Sequence, residues 1–249
     1  MSTRYALDVM LAGQPSMSGT SPSPEIARQQ FRDAQRVQDS FLSAVEKRTL
    51  LWLAERTPRV VNSDHLTVLG LIAMLAAGAA FAAARWSRWV LLAVPICLAL
   101  NWLGDSLDGT LARFRRQPRP RYGFYVDHVV DALGTFAMFA GMAISTYMSP
   151  WTSSALLVAY LLLMIEAVLA TYTLGVFRIA QFRMSPTELR ILLSIGTLVL
   201  LVKPAIHFFG RTILLFDVGG VIGTCGMALL LLLSFVRNTR TLYLQERIP

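Results

Sequence analysis

Charge is scarce in this sequence. Only 15% of its 249 residues are Asp, Glu, Lys or Arg, and these cluster, leaving long uncharged apolar runs that exclude an ordinary soluble domain. Cysteine is scarcer. Cys97 and Cys225 are the only two; both sit in apolar runs, offer no disulfide framework, and read as packing residues. The segment Met1 to Gln14 lacks the continuous apolar core of a secretory signal, so export of the N-terminus is not expected. Nor is there a basic surface segment interleaved with aromatics, which argues against nucleic acid as a partner. The net charge of +8, from 23 Lys and Arg against 15 Asp and Glu, fits contact with anionic lipid headgroups instead.

What is abundant is apolar: 55% of residues are hydrophobic and the mean hydropathy is +0.52. The expected fold is an all-α membrane protein, with six transmembrane helices preceded by an amphipathic juxtamembrane helix. Residues 1–22, rich in Ser, Gly, Pro and Thr, are expected to be disordered. Ser23-Pro24-Glu25 has the form of a helix start, and residues 23–58 read as the juxtamembrane helix, ended by Pro58. Its apolar face is drawn through Leu42, Val45, Thr49, Trp52 and Leu53, with Glu46, Lys47 and Glu55 elsewhere. The remainder, 59–249, is expected to hold the spans: Leu66 to Ala84, Val90 to Ala112, Gly123 to Met148, Ser154 to Phe177, Leu189 to Val202 and Leu214 to Phe235. Ser63 or Asp64 is the expected cap of the first. Ser185-Pro186-Thr187-Glu188 has the form of a capping box ahead of the fifth. Gly219, Gly220, Gly223 and Gly226 in the sixth suit close helix contact, within the monomer or in a homodimer.

The chain is organised around Asn101 to Asp131. Residues at i, i+3, i+4 and i+7 share a helix face, so Asp105, Asp108, Gly109 and Ala112 form one stripe, and Gly123, Asp127 and Asp131 form a second. A loop from Arg113 to Tyr122, with five arginines, joins them. The connection is short enough for the two stripes to face each other. Like charges about 4 Å apart repel by roughly 4 kcal/mol at an effective dielectric near 20. Either some carboxylates stay protonated or divalent metal neutralises them; an all-oxygen site suits magnesium, calcium or manganese rather than zinc.

The spacing D-x2-D-G-x2-A-R-x9-G-x3-D-x3-D, from Asp105 to Asp131, resembles the signature of the CDP-alcohol phosphatidyltransferases with every fixed position filled. The resemblance extends from about 60 to about 240. It implies a membrane enzyme that moves a substituted phosphate, phosphatidyl from CDP-diacylglycerol first among candidates, to an alcohol acceptor with release of CMP in phospholipid biosynthesis. It implies two divalent ions, Mg2+ or Mn2+, on Asp105, Asp108, Asp127 and Asp131, with Asp131 the catalytic base. Gly109, Ala112, Arg113 and Gly123 would border the CDP group. Thr67 would join them; it is the one residue of Asn62 to Thr67 that matches the family's opening T-P-N-x-x-T. Gly109 and Ala112 leave room against the helix, and Arg113 can fork onto a diphosphate. A homodimer is common in the family.

Other residues carry weaker expectations. Arg116, Arg121, Arg178, Arg183 and Arg190 could bind a phosphorylated acceptor, or anchor lipid phosphate. Glu166, inside a span, could meet a substrate hydroxyl, meet a neighbouring polar side chain, or stay protonated. Basic residues are dense before the first span and after the second, fourth and sixth. The positive-inside rule then puts the aspartates and both termini on the cytoplasmic side of a multi-pass protein of bacterial inner-membrane type. Functions from other classes are a divalent-cation transporter and a catalytically inactive membrane scaffold. A transporter should carry acids at mid-membrane or repeated halves; here the acids gather at one face and no repeat is visible.

Overall fold

The structure, a computed structural model, describes residues 43–174, 186–208 and 210–246. The segment 1–22, the first part of the helix expected over 23–58, Ser185, Arg178 and Arg183 lie outside them. The described chain is almost wholly helical. It runs α1 (Ser43–Arg56), α2 (Ser63–Ala83), a 3-10 helix (Arg88–Leu92) leading into α3 (Ala93–Phe114), α4 (Pro120–Ile144), α5 (Pro150–Leu174) and α6 (Pro186–Leu200). Strands β1 (Ala205–Phe208) and β2 (Arg211–Leu214) follow, then α7 (Leu215–Gln245).

Five of these helices are long and apolar enough to cross a membrane: α2, α3 with its 3-10 lead, α4, α5 and α7. The described part of α6, where the fifth of six spans was expected, is 15 residues. That is about 22 Å, against a hydrocarbon core of about 30 Å. Between the fifth and sixth expected spans the chain forms an antiparallel hairpin, with Ala205 opposite Leu214 and Phe208 opposite Arg211. Gly210, at φ 73°, supplies the left-handed residue at its tip.

The helix ends follow from their local chemistry. Asn62, rather than Ser63 or Asp64, caps α2: its side chain accepts from the His65 amide at 2.9 Å, and the His65 ring accepts from the Asn62 amide at 3.3 Å. This is a reciprocal capping box with histidine in the usual glutamate position. Pro120, inside the expected Arg113 to Tyr122 loop, starts α4 in the first turn, where its missing N–H costs nothing. At the start of α5, the Ser149 amide donates at 2.8 Å to Asp217, which reaches over from α7. Asp217 interrupts the apolar run of α7 in order to tie off a neighbouring helix.

Two glycine crossings hold the bundle at close range. Asp105 follows directly after Gly104, where a Cβ would stand 2.5 Å from the Leu66 carbonyl and 2.7 Å from the Gly70 nitrogen. The buried Asn101 amide donates to the Gly70 carbonyl at 3.0 Å, pinning the same crossing of α3 on α2. Farther along, Gly78 of α2 meets Ala137 and Gly141 of α4 backbone to backbone. Below that contact lies the main core, with Phe81, Leu91, Val94, Leu98, Met142 and Leu200. Of the four α7 glycines, Gly220 and Gly223 face α5 closely, whereas Gly219 and Gly226 have no neighbour among the described residues within 4 Å of an added Cβ.

α1 packs on α3 through a face that keeps Leu53 of the expected one but is otherwise displaced from it. Leu50 and Ala54 are buried with Leu66, Leu107 and Leu111, while Val45 is 66% and Trp52 52% exposed. Glu46 lies on the same stripe as Leu50 and Ala54, where polar partners on α3 and α6 satisfy its carboxylate.

Candidate active site

α3 and α4 bring the two aspartate stripes together. α3 ends in a tight C-terminal turn: the Gln117 amide bonds Ala112 O at 2.9 Å and the Arg116 amide bonds Arg113 O at 3.1 Å. Arg116 takes the left-handed conformation at φ 56°, at a cost of about 1–2 kcal/mol for a residue with a Cβ. Arg115 then turns back to the link between α1 and α2, donating to Thr57 O and Pro58 O at 3.0 and 2.9 Å, and to Val61 O. Arg119 pairs with Asp64 and lies over the Tyr122 ring. Two of the five arginines are therefore occupied in shaping the loop. Arg116 and Arg121 are exposed, Arg121 in the first turn of α4.

Asp105 of α3 and Asp127 and Asp131 of α4 each present an oxygen so that the three atoms lie within 4.8 Å of one another. All three residues are half-buried. Asp108, expected with them, adjoins this trio, and its carboxylate accepts from the Thr67 hydroxyl of α2 at 2.6 Å. It remains close enough to Asp105 and Arg113 to interact with both charges. Thr67 is thus joined to the motif through Asp108. Arg113 lies along Gly109, its nearest guanidinium nitrogen 3.4 Å from where a Cβ would stand, and it donates to Thr110 at 3.3 Å. Ala112 is half-buried and Gly123 exposed.

The trio's charge is partly offset from α6. Arg190 donates to Asp105 Oδ2 at 2.6 Å, with both side chains largely shielded. Of the arginines proposed for an acceptor, Arg190 is the one bonded to an aspartate of the trio among the described residues.

The structure adds residues to those read from the sequence. Thr135 is buried one turn beyond Asp131, and the Tyr160 side chain of α5 lies near it and near the charges of Asp131, Arg190 and Asp105. Thr135 continues the stripe Asp127, Asp131 at a spacing of four, a signal present in the sequence. Tyr160 has no such signal. Glu166 meets neighbouring polar side chains: Ser234 and Asn238 of α7 donate to its Oε1 at 2.9 and 2.7 Å.

Three carboxylate oxygens converging at one half-buried point form a hard, all-oxygen donor set, which fits Mg2+ or Mn2+ and lacks the nitrogen or sulfur donors zinc favours. A family model described as CDP-alcohol phosphatidyltransferase matches residues 61–234, which takes in the trio, Asp108, Thr67 and Arg190. No curated protein matches the chain.

Proposed function

The chain belongs to the CDP-alcohol phosphatidyltransferase family, and from that premise we propose that it transfers phosphatidyl from CDP-diacylglycerol to an alcohol acceptor, releasing CMP. The observation that carries this reading is the convergence of Asp105, Asp127 and Asp131 from two helices at the end of the arginine loop.

In the proposed reaction Asp131 accepts the acceptor's hydroxyl proton as that oxygen attacks the phosphorus bearing the lipid. The bond from this phosphorus to the bridging oxygen breaks, and CMP departs with the electron pair. Asp131 suits the task because it lies a turn deeper in the bundle than Asp127, beside Tyr160 and Thr135. Asp105, Asp127 and Asp131, with Asp108 next to them, would hold divalent metal, which when bound supplies positive charge against the diphosphate. Thr67, Gly109, Ala112, Arg113 and Gly123 border the face of α3 and the loop along which the CDP group would lie. Arg190, with Arg116 and Arg121 at the loop, suits a phosphorylated acceptor.

In this reading α6 is the sixth crossing. Arg237 and Arg240 near the end of α7 and the arginine loop after α3 then face the same compartment, as the positive-inside rule requires. Five crossings would separate them. The active site is cytoplasmic.

The experiment is to incubate purified protein with CDP-diacylglycerol and Mg2+, add candidate alcohols singly, and follow CMP. Acceptor-dependent release supports the reading. No release with any CDP-linked donor overturns it.

A further inference from the structure

Beside Asp105 on α3, one carboxylate oxygen joins three helices. Glu46 Oε1 of α1 accepts from Trp102 Nε1 at 2.9 Å and, at 3.4 Å, from Ser106 Oγ, both on α3. It also accepts from Thr187 Oγ1 at 2.7 Å, in the first turn of α6. Each partner leads to the site. Ser106 is the residue after Asp105. Thr187 precedes Arg190 by three residues, less than one helical turn, and Arg190 is bonded to Asp105 at 2.6 Å. The Glu46 bonds and the Arg190–Asp105 pair thus tie α6 to α3 at two points about one turn apart.

We propose that Glu46 is a positioning residue: it sets α6 against α3, and so the reach of Arg190 to Asp105, from a helix outside the catalytic pair. The physical case is geometric. α6 is short, and its N-terminal turn needs an external anchor to hold its azimuth. A carboxylate accepting three side-chain donors holds more firmly than a neutral acceptor would, because hydrogen bonds to ionised groups are the stronger class. α1 is itself held at its far end, where Arg115 donates to the backbone of Thr57, Pro58 and Val61, and along its middle by Leu50 and Ala54. The anchor is therefore fixed relative to α3, and α6 is registered against it. Glutamine at 46 keeps an Oε1 acceptor and much of the bonding; alanine removes it.

This inference rests on the transferase reading for its kinetic arm only. In a background with Cys97 and Cys225 replaced, spin labels at Leu100 of α3 and Leu192 of α6, both exposed, report the helix–helix distance without any turnover. Glu46→Ala is expected to broaden that distance distribution and to lower kcat by about 10- to 100-fold, with donor KM moving by less than about threefold, as a displacement of about 1 Å can do. Glu46→Gln is expected to restore the narrow distribution and most of kcat. Should Glu46→Ala fail to fold, Thr187→Val removes the single bond to α6 and is expected to show the same pattern at about three- to tenfold. If wild type releases no CMP, the transferase reading fails while the distance measurement still decides the anchor. An unchanged distribution in the alanine or valine variant overturns the proposal. So does a glutamine variant no better than alanine, or a kcat loss that vanishes when corrected for folded protein.

Discussion

Arg190 of α6 sets its guanidinium 2.6 Å from Oδ2 of Asp105, placing a fixed positive charge at the edge of the carboxylate trio. This charge stands where a divalent ion would be attracted, so the arginine and the ion compete for one oxygen. Removing the arginine should therefore help metal and harm catalysis. Arg190→Gln is expected to tighten Mn2+ binding about three- to tenfold, the effect of roughly 1 kcal/mol of relieved repulsion, while turnover falls. Calorimetric titration beside CMP release checks both; weaker metal binding in the variant would make Arg190 a support of the metal site rather than its competitor.

Thr67 gives a second test, because its hydroxyl links α2 to Asp108. A hydrogen bond to an ionised group contributes about 1.5–3 kcal/mol. Thr67→Val should therefore raise the donor KM by roughly tenfold or more, and Thr67→Ser, which keeps the donor, should recover most of it. Equal KM values in the valine variant and wild type would detach Thr67 from the nucleotide.

The site was legible in the sequence to the extent that it depends on helical period. Asp127 and Asp131 lie four apart and must share a face, and the short loop after α3 limits where Asp105 can go. Asp108 shares the α3 stripe too, yet its partner is Thr67 on a helix far away in the chain, and only packing brings Thr67 there. Glu46 was drawn off the buried face for a related reason. By hydropathy alone, Val45 and Trp52 outrank it, and its partners Trp102, Ser106 and Thr187 are remote in sequence. Tyr160 likewise sits in an evenly apolar helix, with no pattern to mark which side faces Asp131. The hairpin at 205–214 escaped because four-residue strands beside long spans carry too little alternation to see.

The close crossings should separate sharply under substitution. At Gly104 a methyl group would press on Leu66 O and the backbone of Gly70, neither of which can rotate away. Gly104→Ala is expected to destabilise by about 1–3 kcal/mol and to cut activity by shifting the adjacent Asp105. Gly226→Ala, with no described residue within 4 Å of the added Cβ, should be neutral or slightly stabilising, since alanine favours a helix by up to about 1 kcal/mol. Melting in detergent, compared between the two, checks this; equal losses would mean the Gly104 crossing can relax.

Orientation can be read by labelling. Ser153 is a poor reporter, being 1% exposed and bonded to Phe139 O, but Trp151 nearby is 87% exposed. In a cysteine-free background, a cysteine at Trp151 should react with a membrane-impermeant thiol reagent in intact cells. One at Gln117, in the arginine loop, should react only after permeabilisation. The reverse pattern would place the aspartates outside the cell and remove the cytoplasmic site.

The roles within the trio can be divided because protonation and coordination fail differently. Asn in place of Asp keeps size and one oxygen but cannot take up a proton and carries no charge. At Asp131, beside Tyr160 and Thr135 on the bundle side, the missing proton acceptor should be the larger defect: Asp131→Asn is expected to keep metal and CDP-donor binding while losing about 10²- to 10⁴-fold in turnover, the scale of general-base removal. At Asp127, nearer the loop, and at Asp105, already shared with Arg190, the missing charge should dominate, so metal affinity falls first and turnover recovers partly at high metal. Asp108→Asn, outside the trio but held by Thr67, should weaken the donor at least as much as the metal. Titration of metal and of donor into each variant, with CMP release measured across metal concentration, resolves the four. Normal turnover by Asp131→Asn, or a defect cured by added metal, would move the base elsewhere.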